Sequence, residues 1–149
     1  MSADVAIRPV GNSERADWEP LWKGYLDFYK ASVPKQVYDT TWARLHDPAE
    51  PMWLLGAYVE GKLKGIVHYL YHRSCWTVGD YCYLQDLFVA EDARQHGLGR
   101  ALIEAVYAKA RADGASRVHW LTHETNATAR ALYDTLADRP GFIQYRKLL

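Results

Sequence analysis

Residues 92–114, DARQHGLGRALIEAVYAKARADG, constrain this chain more than any other stretch. Two glycines, Gly97 and Gly99, follow a strand-like run at 81–90, YCYLQDLFVA, and precede a helical period. Leu98, Ala101, Leu102, Ala105 and Val106 fall on one helical face, and Gly114 is placed to end the helix. The run SRVHWLTH at 116–123 reads as the next strand. Strand, helix and strand in that order predict a right-handed parallel crossover. A helix start carries unpaired N–H groups and a partial positive charge, so it suits an anion, phosphate above all. Glycines there let the backbone approach such a ligand, and Arg94, His96 and Arg100 flank the turn. A structural turn is the plain alternative. The spacing is neither a P-loop nor a dinucleotide fingerprint, because Leu102 stands where a third glycine would be.

The rest of the chain surrounds that unit with further strands and helices. VAIRPV at 5–10 reads as an opening strand. Asn12 or Ser13 is placed to cap a helix carrying Trp18, Leu21, Trp22, Tyr25, Phe28 and Tyr29 at helical spacing. A second helix follows Pro34, through Val37, Trp42 and Leu45. Residues 52–74 read as a hairpin with Gly61 in its turn. NATARALYDTLA at 126–137 is a helix capped by Thr125 or Asn126, and GFIQYRKLL at 141–149 is a last strand. The expected order is β-α-α-β-β-β-α-β-α-β, an α/β fold in one domain over 1–149.

Charge and composition exclude several classes. The formal net charge is zero, which lacks the signature of a nucleic-acid binder. No apolar run approaches the roughly 18 residues of a membrane span. The opening MSADVAIRPV lacks the basic and apolar regions of a signal peptide, so a cytoplasmic protein is expected. Cys75 and Cys82 are too few for a disulfide framework or a metal site, and no metal is expected.

The string LQDLFVAEDARQHGLGRALIEAV resembles motif A of the GNAT acetyltransferases. Their signature, Arg/Gln-x-x-Gly-x-Gly/Ala, is met by Arg94-Gln95-His96-Gly97-Leu98-Gly99. HETNATARALYDTLADRPGF resembles their motif B, with Asn126 at a helix start and Tyr133 two helical turns on. The specific resemblance covers residues 81–149; the N-terminal half agrees in outline. WLTHETNATARALYD and FIQYRKLL are most similar to the branch of histone, polyamine and D-amino-acid acetyltransferases.

The resemblance implies a single-domain GNAT fold, with a mixed central sheet of six to seven strands and flanking helices. It implies direct transfer of an acetyl group from acetyl-CoA to the primary amine of a polyamine, amino acid or lysine side chain. Acetyl-CoA would lie in a V-shaped gap between the strands at 81–90 and 116–123. It would be held by Leu87, Phe88 and Val89, with its pyrophosphate on Arg94, Gln95, His96, Gly97, Leu98, Gly99 and Arg100. Asn126 and Tyr133 would complete that site. The Leu87 N–H would face the thioester carbonyl, and Tyr133 would act as general acid.

The proton acceptor is where the chain departs from its relatives. Related diamine acetyltransferases carry Glu where Gln85 stands. Strand alternation puts Tyr83, Gln85, Leu87 and Val89 on one face, and Leu84, Asp86 and Phe88 on the other. Asp86 therefore replaces the missing Glu only if a bulge rotates it. A water held by Gln85, His123 and Glu124 are the other candidates. An acyl-cysteine route through Cys75 or Cys82 departs from the family's direct transfer. The missing Glu also leaves open a non-catalytic acetyl-CoA sensor or scaffold.

Six Trp and eleven Tyr stand against three Phe. By the resemblance, Trp18, Trp22, Tyr25, Asp27, Tyr29, Tyr38, Trp42 and the loop YHRSCW border the acceptor site, where aromatic faces suit a cationic amine. The same helical spacing equally suits a core. After Asp138 there is room for one strand where the family closes with two, and an incomplete edge predicts a homodimer.

Overall fold

The structure is a computed structural model that describes residues 4–149, so the leader-peptide expectation rests partly on residues outside it. Its strands are β1 (Val5–Pro9), β2 (Met52–Val59), β3 (Lys62–His72), β4 (Tyr81–Val89) and β5 (Arg117–His119). Its helices are α1 (Arg15–Phe28), α2 (Lys35–Leu45), α3 (Leu98–Ala112) and α4 (Ala127–Tyr133). The sheet order is β1-β2-β3-β4-β5. Its first three pairings are antiparallel and β4–β5 is parallel, so the mixed sheet and the strand–helix–strand crossover are as expected.

Two apolar layers form because strand side chains alternate between faces. On one face Leu55, Ala57, Val67, Cys82 and Leu84 meet Leu98, Leu102, Ile103, Val106 and Ala110 of α3, with Leu132 and Tyr133 of α4 at the margin. On the other, Leu54, Tyr58 and Ile66 meet Trp18, Leu21, Trp22 and Leu26 of α1 and Trp42 and Leu45 of α2. Gly114, at φ +79°, ends α3 by letting the Ala115 N–H fold back to the Ala110 carbonyl at 2.9 Å. Among the described residues no helix is long and apolar enough to cross a membrane.

Three expectations are corrected. Neither Asn12 nor Ser13 caps α1. Residues Asn12–Glu14 form a 3-10 turn in which the Gly11 N–H donates to Glu14 Oε2 at 2.6 Å, and Asn12 Oδ1 instead accepts from Trp42 Nε1 at 3.2 Å. The expected strand at 116–123 keeps only three paired residues. The described sheet has five strands, not six to seven, because residues 141–149 join no ladder. Phe142, Ile143, Tyr145 and Leu148 of that segment are exposed.

Candidate active site

The site begins where β4 and β5 part. Their register pairs Tyr81 with Arg117, Cys82 with Val118 and Tyr83 with His119, then stops. The cause lies on the other side of β4. His68 of β3 faces Asp86, and the next residue, Tyr69, faces Leu84, so Gln85 is an extra, unmatched residue. Such a bulge bends its strand and shifts the alternation by one. Cys82 and Leu84 face the α3 layer; beyond the bulge, so do Leu87 and Val89, while Phe88 packs towards α1. The alternation expected from sequence thus fails at Gln85, which is exposed. Leu84 and Asp86 do not share a face.

Backbone parity decides what β4 offers to the gap. The Ala90 N–H donates to the Lys64 carbonyl on the β3 side at 2.7 Å. Successive residues of a strand point their polar groups to opposite edges, so Leu87 and Val89 present theirs to the gap.

The glycine turn stands at the end of that strand. Residues Glu91–His96 form a 3-10 helix, Gly97 turns the chain at φ +69°, and α3 starts at Leu98. The Ala101 N–H bonds to the Gly97 carbonyl at 3.1 Å. The N–H groups of Leu98, Gly99 and Arg100 precede that bond and have no partner within the helix. A side chain at Gly97 would be strained by its φ. Gly99 is different. A Cβ there would meet only Leu132 Cδ2, at 3.5 Å, an ordinary contact. Nothing in the fold demands glycine at 99, and its missing side chain leaves room in front of the open N–H groups. These groups fit an anionic diphosphate.

The basic residues around the turn are partly engaged. Arg94 Nε donates to the Val89 carbonyl at 3.2 Å and lies over the Phe88 ring at 5.8 Å. Arg100 donates to Thr135 Oγ1 at 2.8 Å. Gln95 Nε2 donates to the Asp92 carbonyl at 3.3 Å and is 3.4 Å from His96 Nε2.

Tyr133, on α4, lies edge-on to Trp120 with centroids 5.4 Å apart. Burial first, then the neighbouring Tyr29 phenol, push its pKa up to about 12. It is therefore a neutral phenol across the neutral range, the form able to donate. Tyr29 follows the last residue of α1, so the end of α1 and α4 come near each other. Asn126 is the N-cap residue of α4, and its side-chain amide donates to Thr122 Oγ1 at 3.4 Å rather than capping the helix.

Asp86 sits deeper than its neighbours on the strand suggest. Its side chain is 12% exposed, and Oδ2 lies 3.0 Å from His68 Nδ1. The phenols of Tyr25 and Tyr83 flank the carboxylate; both have raised pKa values, from burial first and then from Asp86. Of the other proton-acceptor candidates, His123 is engaged locally, with Nδ1 2.7 Å from Thr125 Oγ1. Glu124, in the same turn before α4, accepts from Arg130 at 2.6 Å through its backbone carbonyl, which leaves its carboxylate uncommitted. Cys75 is exposed, whereas Cys82 is buried and its thiol is pushed up to about 12, first by burial, which makes it a poor nucleophile.

The aromatic stripe of α1 divides along its length. Trp18 and Trp22, with Trp42 of α2, are buried in the core. Tyr25 lies beside Asp86 and Tyr29 packs on Tyr25 with centroids 5.1 Å apart, while Asp27 is exposed and paired with Lys23 at 2.7 Å. Two histidines at the site were not singled out from sequence. His119 stacks on Tyr83 with centroids 5.1 Å apart, and its buried Nδ1 has no partner among the described residues. Its pKa is lowered, mainly by burial. His68 was legible only as one polar residue inside the apolar run GIVHYLY.

Comparison with known proteins agrees with this architecture. The chain is 35% identical over 145 residues to a D-amino-acid N-acetyltransferase of Saccharomyces cerevisiae, covering 96% of this chain and 90% of that one. It is 34% identical over 80 residues to a thialysine N-epsilon-acetyltransferase of Caenorhabditis elegans, covering 54% and 49% of the two chains. A solved aminoglycoside N-acetyltransferase in complex with CoA superposes with a TM-score of 0.82 at 18% identity, over 99% of this chain and 97% of that one. Residues 18–137 match the Acetyltransferase (GNAT) family, and the chain belongs to that family of acetyltransferase enzymes.

Proposed function

We propose that this N-acetyltransferase moves the acetyl group of acetyl-CoA directly to the amine of a small free molecule of the amino-acid class. The observation that carries the reading is the gap beside β4. It lies between the Gly97 turn, with its open N–H groups, and the Asp86 carboxylate. The relative named for D-amino acids supports the acceptor class.

In this reading the diphosphate rests on the N–H groups from Gln95 to Arg100, with Arg94 alongside. Leu87, Phe88 and Val89 give the pantetheine arm a strand edge, and the Leu87 N–H stabilises the oxyanion. Asn126 and Tyr133 close the site from α4. The acceptor enters as an ammonium and gives one proton to Asp86. Its nitrogen attacks the thioester carbon, the C–S bond breaks, and the thiolate takes a proton from Tyr133. The nitrogen's surplus proton restores the phenol, so one proton leaves to solvent per turnover. Gln85, with an amide, takes no proton; it serves as the bulge residue that aims Asp86. The protein acts as a homodimer, assembled through the apolar segment 141–149.

Gly99→Ala tests the placement of the diphosphate. The helix gains up to about 1 kcal/mol of propensity, because the new methyl meets no tight contact in the fold. Acetyl-CoA affinity, measured by calorimetry, should nevertheless fall. A variant that binds acetyl-CoA as well as the parent would move the diphosphate elsewhere.

A further inference from the structure

His68 is the buried polar residue of the core, 4% exposed, and it sits inside an otherwise apolar layer. Both its ring nitrogens are engaged. Trp18 Nε1 lies 3.0 Å from Nε2, and Asp86 Oδ2 lies 3.0 Å from Nδ1. An indole N–H can only donate. Nε2 must therefore accept, which places the ring's one proton on Nδ1 and leaves the imidazole neutral. The Nδ1–H then donates to Asp86, and a hydrogen bond given to a carboxylate favours its charged form. A second proton on Nε2 would set two N–H groups against each other beside Trp18, which is fully buried. His68 is thus a fixed donor, and the chain of contacts ends at Trp18.

The bulge is what makes the contact. It brings Asp86 into register with His68, at the point where the regular ladder would have placed Gln85. Trp22 holds the other side of the ring, with centroids 5.0 Å apart. The groups facing Asp86 are Tyr25 from α1, Tyr83 from its own strand and His68 from β3. The two phenols are held neutral by burial, and His68 is neutral by its hydrogen bonds. His119 of β5, stacked behind Tyr83, is also pushed towards its neutral form. Among the described residues no cationic side chain is paired with Asp86. A largely buried carboxylate without a cation is costly, and it matches a ligand that brings one.

We propose that His68 is the positioning residue of the acceptor site: it holds Asp86 as a carboxylate aimed at the substrate's ammonium, and Trp18 fixes the tautomer that lets it do so. This rests on the reading of Asp86 as proton acceptor. It implies that the enzyme binds the protonated amine and deprotonates it in place.

The test compares His68→Leu, His68→Asn and Asp86→Asn by pH profiles of kcat/KM for the amine. Acetyl-CoA affinity is measured in each variant by calorimetry. Asn places an N–H where Nδ1–H stands, so it keeps the bond to Asp86 and loses the acceptor for Trp18. Asp86→Asn should lose about a hundred-fold or more, the range of general-base removal. His68→Leu should lose about ten-fold or more, with the acidic limb moved to higher pH, because the carboxylate has lost a donor. His68→Asn should recover most of that loss and return the limb, with acetyl-CoA affinity unchanged throughout. Equal losses in Leu and Asn with an unmoved limb would show a packing role and overturn the proposal, as would full activity in His68→Leu. Should the Leu variant not fold, a limb in His68→Asn displaced as far as loss of the Asp86 bond requires would overturn it, and an unmoved limb would support it. Full activity in Asp86→Asn would remove Asp86 as acceptor, a failure of the underlying reading that the His68 variants alone cannot produce.

Discussion

In the proposed mechanism a phenol and a carboxylate divide the proton work, and their surroundings suit them to it. Tyr133 is kept protonated by burial, with a pKa of about 12, so it has a proton to give wherever the enzyme operates near neutrality. Asp86 lies 3.0 Å from His68 Nδ1 and faces the phenols of Tyr25 and Tyr83. Tyr133→Phe removes the donor but preserves the ring that packs on Trp120. Its kcat should fall more than about ten-fold with a modest change in KM, as expected when a group acts mainly in the transition state. Unchanged turnover would take Tyr133 out of the chemistry. Tyr133 and the glycine turn stood out in the sequence through the resemblance to motifs A and B; helix spacing alone left Tyr133 equally suited to a core. Asp86 was visible as a residue but its direction was not. One extra residue in β4 reverses every later side chain, and a bulge leaves no mark in a single sequence.

Elements locate the site through how closely they pack. α1 crosses β3 and β4 with Gly24 against the Phe88 ring. A Cβ at 24 would meet Phe88 Cζ at 2.8 Å and Cε2 at 2.9 Å. Ala is worth up to about 1 kcal/mol over Gly within a helix. Overpacking a filled core costs about 1–3 kcal/mol, and Phe88 lies beside the Leu87 backbone, so the clash should win. Gly24→Ala is expected to lower the denaturant midpoint and to raise the KM for acetyl-CoA. A variant more stable than the parent would show that α1 has room to move. The long helices α1, α2 and α3 were legible from their apolar period, and α3 also from Gly97 and Gly114. The short β1 and α4 were legible too, α4 ending at Tyr133 rather than at residue 137, but the extent of β5 was not. β5 loses its last expected residues because β4 bends away from it after Tyr83, an event that depends on β3 and so on no local pattern.

At the scale of the whole molecule, the two layers and the crossover follow from the order of elements, which the sequence shows well. The edge of the sheet does not. Phe142, Ile143, Tyr145 and Leu148 make the segment apolar enough for a strand, yet they are exposed and join no ladder among the described residues. Pairing is a property of two segments, and the sequence of one says nothing about where the other ends. An apolar segment of this kind fits against a second copy. Light scattering at micromolar concentration should give a dimeric mass, and charged replacements at Ile143 and Tyr145 should lower it to that of one chain. A single-chain mass for the parent protein would contradict the dimer.

Acetyl transfer from acetyl-CoA to a small free amine is read out as CoA release, measured with acetyl-CoA against D- and L-amino acids, polyamines and lysine peptides. Release is expected with amino acids, weaker or absent with peptides, and dependent on Tyr133 and Asp86. Tight acetyl-CoA binding with no release above background for any free amine would rule out the proposed transfer.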